Sequence, residues 1–213
     1  NHDSLSIDAL SLVWSFLTAP MVPGLAPLEG WSDVTGTMYY GTGAAWTLQE
    51  LTPWVPRRPG DPYLRAGLEM IVQVARTLVE AAEVGAHSAV MAHGSVNPWR
   101  ILVDVQGQCQ VIGYGLPQIS VLKYAARDDQ APVDALRYSP PERFDLEEED
   151  IHSDLYSLVL VGIEWMMGEP LFNGHSSRVL GHAIRGMGPE CLFRFREDLP
   201  IDIRHVFGRA LCA

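Results

Sequence analysis

His93-Gly94-Ser95-Val96-Asn97-Pro98-Trp99-Arg100-Ile101-Leu102-Val103 is the stretch on which the fold turns. Its first eight residues mix polar side chains with a glycine and a proline, and its last three are aliphatic, so it reads as a loop feeding a buried strand. The strand, Ile101-Leu102-Val103-Asp104-Val105, runs through the turn Gln106-Gly107-Gln108 into Cys109-Gln110-Val111-Ile112, a short hairpin. Gly113-Tyr114-Gly115-Leu116 leaves it. Upstream, Asp61 as N-cap and Pro62 at the first helical position open a long helix. Leu64, Leu68, Ile71, Val72, Ala75, Leu78, Val79 and Ala82 form its apolar stripe. Downstream, Ser153 is expected to cap a helix beginning at Asp154. Apolar residues from Leu155 to Met167 coat that helix nearly all round, which marks it as buried and central, and Gly168 and Pro170 end it.

Further out the pattern is plainer. Apolar spacing predicts a helix over 4–17, strands over 25–31 and 37–48, a connecting segment over 51–61, and short helices over 177–186 and 201–211. The chain has 213 residues, 47% of them apolar and 19% charged, which suits one folded domain. A formal net charge of −11 argues against nucleic acid or an anionic membrane as partner. Three widely spaced cysteines, Cys109, Cys191 and Cys212, suggest neither a disulfide framework nor a zinc site. No apolar run reaches the roughly 20 residues of a membrane span, and the opening residues do not read as a signal peptide. The first residue is Asn1, so the sequence is expected to be part of something longer.

The residues at the junctions resemble protein kinases. Residues 93–103 resemble the catalytic loop H-R-D-L-K-P-x-N-I-L-V, Gly113-Tyr114-Gly115-Leu116 stands where kinases carry D-F-G-L, and Tyr138-Ser139-Pro140-Pro141-Glu142 is similar to A-P-E. Ser153-Asp154-Leu155-Tyr156-Ser157-Leu158 resembles the opening of the central kinase helix, followed by Gly168-Glu169-Pro170-Leu171-Phe172 for G-x-x-P-F. The style is that of bacterial Ser/Thr kinases. The resemblance implies an α+β, protein-kinase-like fold: a mostly helical C-lobe over 51–213, and over 1–50 a reduced N-lobe and hinge with an αC-like helix and one strand pair.

Against that family, the positions that carry chemistry differ. Phosphoryl transfer asks for a carboxylate near the acceptor hydroxyl, cations on the phosphates and oxygen ligands for magnesium. The resemblance places Ser95 at the base, Asn97 at the loop lysine, Arg100 at the magnesium-binding Asn and Gly113 at the metal-binding Asp. It implies structural roles for His93, Tyr114, Glu142 and Asp154. The expectation is therefore a pseudokinase that is not an enzyme, binds no cofactor or metal, and serves in the cytoplasm as a regulatory or scaffold module. Its partner is expected to be another protein or another domain of the parent chain, with no nucleic acid and no membrane insertion. The alternative is a metal-independent nucleotide sensor using the residual cleft.

Other readings are weaker. Ser95 with His93 lacks the glycines of a nucleophile elbow, and His87, His93 and Cys109 match no metal-ligand spacing. The acidic run over 145–150 reads as a solvated loop, or else as a docking patch for a basic partner. Among six tryptophans, Trp165 is expected in the core, whereas Trp54 and Trp99 lie near the former cleft. Those two either anchor a partner or plug the vacated pocket.

Overall fold

The computed structural model describes residues 18, 22–32, 37–55, 62–85, 92–115, 136–145, 147–174, 176–186 and 199–211. The helix expected over 4–17 and the cap at Asp61 lie outside the described residues, as do residues 116–135.

Two small sheets precede and flank the helices. Strands β1 (Leu28–Ser32) and β2 (Thr37–Tyr40) form an antiparallel pair with a bulge between Leu28 and Gly30. The single strand expected over 37–48 is in fact two: it breaks at Gly41–Ala44, and β3 (Ala45–Thr47) turns to a different sheet. There it pairs antiparallel with β4 (Ile101–Asp104), which pairs with β5 (Cys109–Val111), so Trp46 faces Val103 and Leu102 faces Gln110. The stretch before β1 docks on β5, with Ala26 N–H donating to the Val111 carbonyl (3.0 Å) and Val111 N–H to that of Gly24 (2.7 Å).

The expected connector at 51–61 begins instead as structure. Helix α1 (Leu48–Leu51) carries a capping box in which Thr47 and Glu50 satisfy each other's backbone N–H groups, and a 3-10 turn over Thr52–Trp54 follows. Helix α2 (Pro62–Gly85) buries Gly67, Met70, Val74, Thr77, Leu78 and Ala81, a row at three- and four-residue steps. Val72 and Val79, expected on the buried stripe, are exposed, because the buried centre runs one helical position away from them.

One short helix, α3 (Pro141–Asp145), leads to the central helix, α4 (Ile151–Met167). The latter starts three residues earlier than Ser153 and Asp154 suggest. Its cap is Asp150, whose Oδ1 accepts from the N–H groups of His152 (2.7 Å) and Ser153 (3.4 Å). It ends as expected, on Gly168 at φ 87°. Nearly every residue of α4 from Ser153 to Met166 is buried. Helix α2 packs along it through two glycines, Gly67 against the Trp165 indole and Gly162 against Ile71. On another side α6 (Ile201–Ala210) places Phe207 beside Gly162. Helix α5 (Ser177–Arg185) packs on α3, where Arg185 bonds Asp145 and lies over the Phe144 ring. Among the described residues, no helix is long and apolar enough to cross a membrane.

Candidate functional site

The loop between α2 and β4 is held by side chains from four elements. Asp154, on the first turn of α4 and 1% exposed, spends both carboxylate oxygens on it. Oδ2 accepts the His93 N–H (2.6 Å) and Oδ1 the Gly94 N–H (2.8 Å). Because Asp150 does the capping, Asp154 is free to reach the loop. From α3, Arg143 (5% exposed) donates Nη2 to the Gly94 carbonyl at 2.7 Å and Nη1 to Ser139 Oγ at 3.0 Å. It also grips Glu149 through Nε (2.8 Å) and Nη2 (2.6 Å), the two-pronged geometry that suits a guanidinium and a carboxylate. Both peptide groups of Gly94 are thereby fixed, and Gly94 sits at φ 69°, a conformation that glycine adopts without strain.

Within the loop, His93 is 1% exposed and both ring nitrogens are engaged. Nε2 faces the Ile112 carbonyl (3.0 Å), which can only accept, and Nδ1 accepts the Ser95 N–H (3.1 Å). The ring is therefore neutral with its proton on Nε2. Burial, and then the charge of Arg100, holds its pKa down to about 3. Burial also pushes the Asp154 carboxyl up to about 7, against the pull of its two N–H donors. The buried Tyr114 ring stands edge-on to His93 at 5.7 Å, and burial raises its phenol pKa. Cys109, also buried, is pushed up to about 12 by burial and the nearby Asp104 charge, which leaves it an unreactive thiol.

The four positions that differ from the kinase pattern fall around this loop. Asn97 closes it internally: its amide donates to the Ser95 carbonyl (2.9 Å) and accepts the Trp99 N–H (3.0 Å). Ser95 Oγ is buried without a hydrogen-bond partner. Arg100 is half-buried and hydrogen-bonds the Tyr40 phenol at the end of β2. Gly113 sits at φ 81° and offers no side chain. A magnesium ion needs several oxygen ligands. With a cation at 100, nothing at 113, and the Asn97 and Asp154 oxygens committed to backbone N–H groups, these residues do not fit it. Among the described residues no three His, Cys, Asp or Glu gather as a metal cluster.

His93, Ser95, Asn97, Arg100, Tyr114 and Asp154 thus come together. Glu142 stands apart on α3, its Oε2 buried without a hydrogen-bond partner. Trp54 is 84% exposed and Trp99 39%; their segments are joined by Gln49 N–H donating to the Pro98 carbonyl (3.1 Å). Trp165 is in the core. Arg143 and Glu149 escaped the sequence reading, because the run 145–150 reads as solvated acid. In the structure, Glu149 is a counter-ion and Asp150 a helix cap. The buried pair Tyr138–Glu164, with Trp99 edge-on to Tyr138, was equally hidden. A charged residue inside an apolar helix, Glu164, is the signal that a partner is required.

Comparison with known proteins points the same way as the loop. The chain is 24% identical over 195 residues to the serine/threonine-protein kinase PknE of Mycobacterium tuberculosis, covering 89% of this chain and 32% of that protein. It is 29% identical over 165 residues to the serine/threonine-protein kinase PknA of the same organism, covering 71% and 35%. The chain spans about a third of the length of these curated relatives. No family model matches it. The homology is weak, and it is to bacterial Ser/Thr protein kinases; the mixed helices and small strand pairs form a partial protein-kinase-like α+β fold. One expectation is overturned here. The relatives are named as kinases, so the substituted positions do not by themselves take the chain out of an enzyme class, and the reading "not an enzyme" is withdrawn.

Proposed function

We propose, from that kinase relationship as premise, that the chain works as a regulatory protein-interaction module in the cytoplasm, engaging another protein or another domain of its parent chain. The observation that carries this is the exposure of Trp54 and Trp99 on backbone that is firmly held. Trp99 sits on a loop tied at His93 and Gly94 to Asp154 and Arg143, and Trp54 follows a capped helix bonded to that loop at Pro98. Exposed tryptophans on a rigid base lose little entropy when a partner covers them, and tryptophan is enriched among the residues that dominate interface energies. The net charge of −11 suits a protein partner better than nucleic acid.

The test is a comparison of the purified chain with the double variant Trp54→Ala, Trp99→Ala as bait for proteins of its own host. We expect specific partners of the wild type to lose at least tenfold in affinity for the variant, compared at a temperature at which both are folded. Partners held equally well by both would sink the reading.

A further inference from the structure

We propose that the Asn173–Gly174 step is a self-modifying site, at which the chain deamidates itself through a cyclic imide with water as the only co-reactant. The site is independent of the interaction surface above. It lies in the loop between α4 and α5, outside any helix or strand. Deamidation of this kind needs a main-chain N–H free to act as nucleophile and a side-chain carboxamide able to reach it. It also needs no Cβ on the following residue to obstruct their approach. Gly174 has no Cβ, and its N–H makes no hydrogen bond among the described residues. Asn173 is exposed. The hydrogen bond of its carboxamide, Nδ2 donating to the Pro170 carbonyl, is 3.5 Å long and so holds the leaving group weakly.

The other amides of the chain are protected where this one is not. Asn1 lies outside the described residues. Asn97 is buried with both ends of its carboxamide engaged, and it precedes Pro98, whose nitrogen has no hydrogen to lose. Gln106 also precedes a glycine, but there the Gly107 N–H is bonded to the Asp104 carbonyl at 3.0 Å. Among the described Asn and Gln residues, Asn173 alone precedes a glycine whose N–H is unbonded. The reaction balances without oxidant or reductant. Base takes the Gly174 N–H proton, the nitrogen bonds to Asn173 Cγ, and the Cγ–Nδ2 bond breaks, the departing nitrogen leaving as ammonia with a proton from water. Water then opens the ring. Cleavage of the new Cγ–N bond leaves aspartate; cleavage of the original peptide C–N bond leaves isoaspartate, with the main chain rerouted through Cβ and Cγ.

The two products meet different surroundings. Phe172 and Leu180, on either side of the step, are in the core, and a Cβ built at Gly174 would lie 3.0 Å from Leu180 Cγ and Cδ2. Aspartate at 173 changes only an exposed side chain. Isoaspartate lengthens the main chain between two anchored residues and presses Gly174 onto Leu180, so it loosens the seat of α5. The test holds the whole chain at mildly alkaline pH and follows its peptides by mass spectrometry. The Asn173 peptide is expected to exchange NH2 for OH at least tenfold faster than the Asn97 peptide, giving both aspartate and isoaspartate. Its rate should lie within tenfold of that in the urea-unfolded chain and should fall at mildly acidic pH. Asn173→Gln, an exposed change whose ring closure is slower, should suppress the reaction at this position. The separated isoaspartate form should melt several degrees below the unmodified chain, and Asn173→Asp level with it. The inference is overturned if Asn173 converts more than tenfold more slowly in the native chain than in the unfolded one. It is equally overturned if aspartate is the sole product or if the rate does not rise with pH. An isoaspartate form that melts with the unmodified chain would overturn the consequence for α5.

Discussion

His93 and Asp154 are bonded neighbours whose protonation runs in opposite directions. Asp154 ordinarily titrates near 3.8 and in the fold near 7. Between those values the native chain keeps a proton that the unfolded chain has lost, so its contribution to stability is complete below about 3.8 and disappears as pH rises towards 7. His93 ordinarily titrates near 6.5 and in the fold near 3. Over that window the unfolded chain holds a proton the native one lacks, so its contribution is complete above about 6.5 and is lost as pH falls. From about pH 4 to 6.5 the two slopes, each at most about 1.4 kcal/mol per pH unit, offset one another. Stability of the wild type should be nearly flat there. In urea titrations at several pH values, His93→Asn should become less stable as pH rises and Asp154→Asn more stable. Equal slopes in both variants would show that these residues do not set the balance.

At the scale of elements, the crossing of α2 and α4 rests on the absence of two side chains. An alanine at 67 would gain up to about 1 kcal/mol of helix propensity but would drive a methyl into the rigid, buried Trp165 ring, and overpacking costs about 1–3 kcal/mol. The steric term wins, and Gly67→Ala should lower stability by about 1–2 kcal/mol. Gly162→Ala meets the terminal methyl of Ile71, which can rotate away, so it should cost less. Chemical denaturation of the two variants decides the order. The sequence showed α2, the β4–β5 hairpin and the apolar body of α4, because a period of 3.6 or 2 survives over a long run. It hid the start of α4, since Ser153 is as good a cap by type as Asp150 and only geometry chooses between them. It also hid α1, although Thr47-Leu48-Gln49-Glu50 is a capping-box pattern, because four residues carry no periodicity.

For the whole molecule, the loop at 93–100 was legible as the centre of the fold, and the residues that hold it were legible only in part. Asp154 was found because it stands in a recognisable pattern. Arg143 was not, because its three partners lie 4, 6 and 49 residues away and no local spacing predicts them. The side-by-side placement of Glu149 and Asp150 has a consequence for how the molecule breathes. One carboxylate reaches back to the guanidinium clasping the loop, and the next residue starts the central helix. Fraying of that first helical turn therefore pulls on the clasp, and the two regions open as one cooperative unit. In native-state hydrogen exchange, the amides of His93, Gly94 and Ser153 should share one opening free energy, and Asp150→Ala should lower all three together by about 1 kcal/mol.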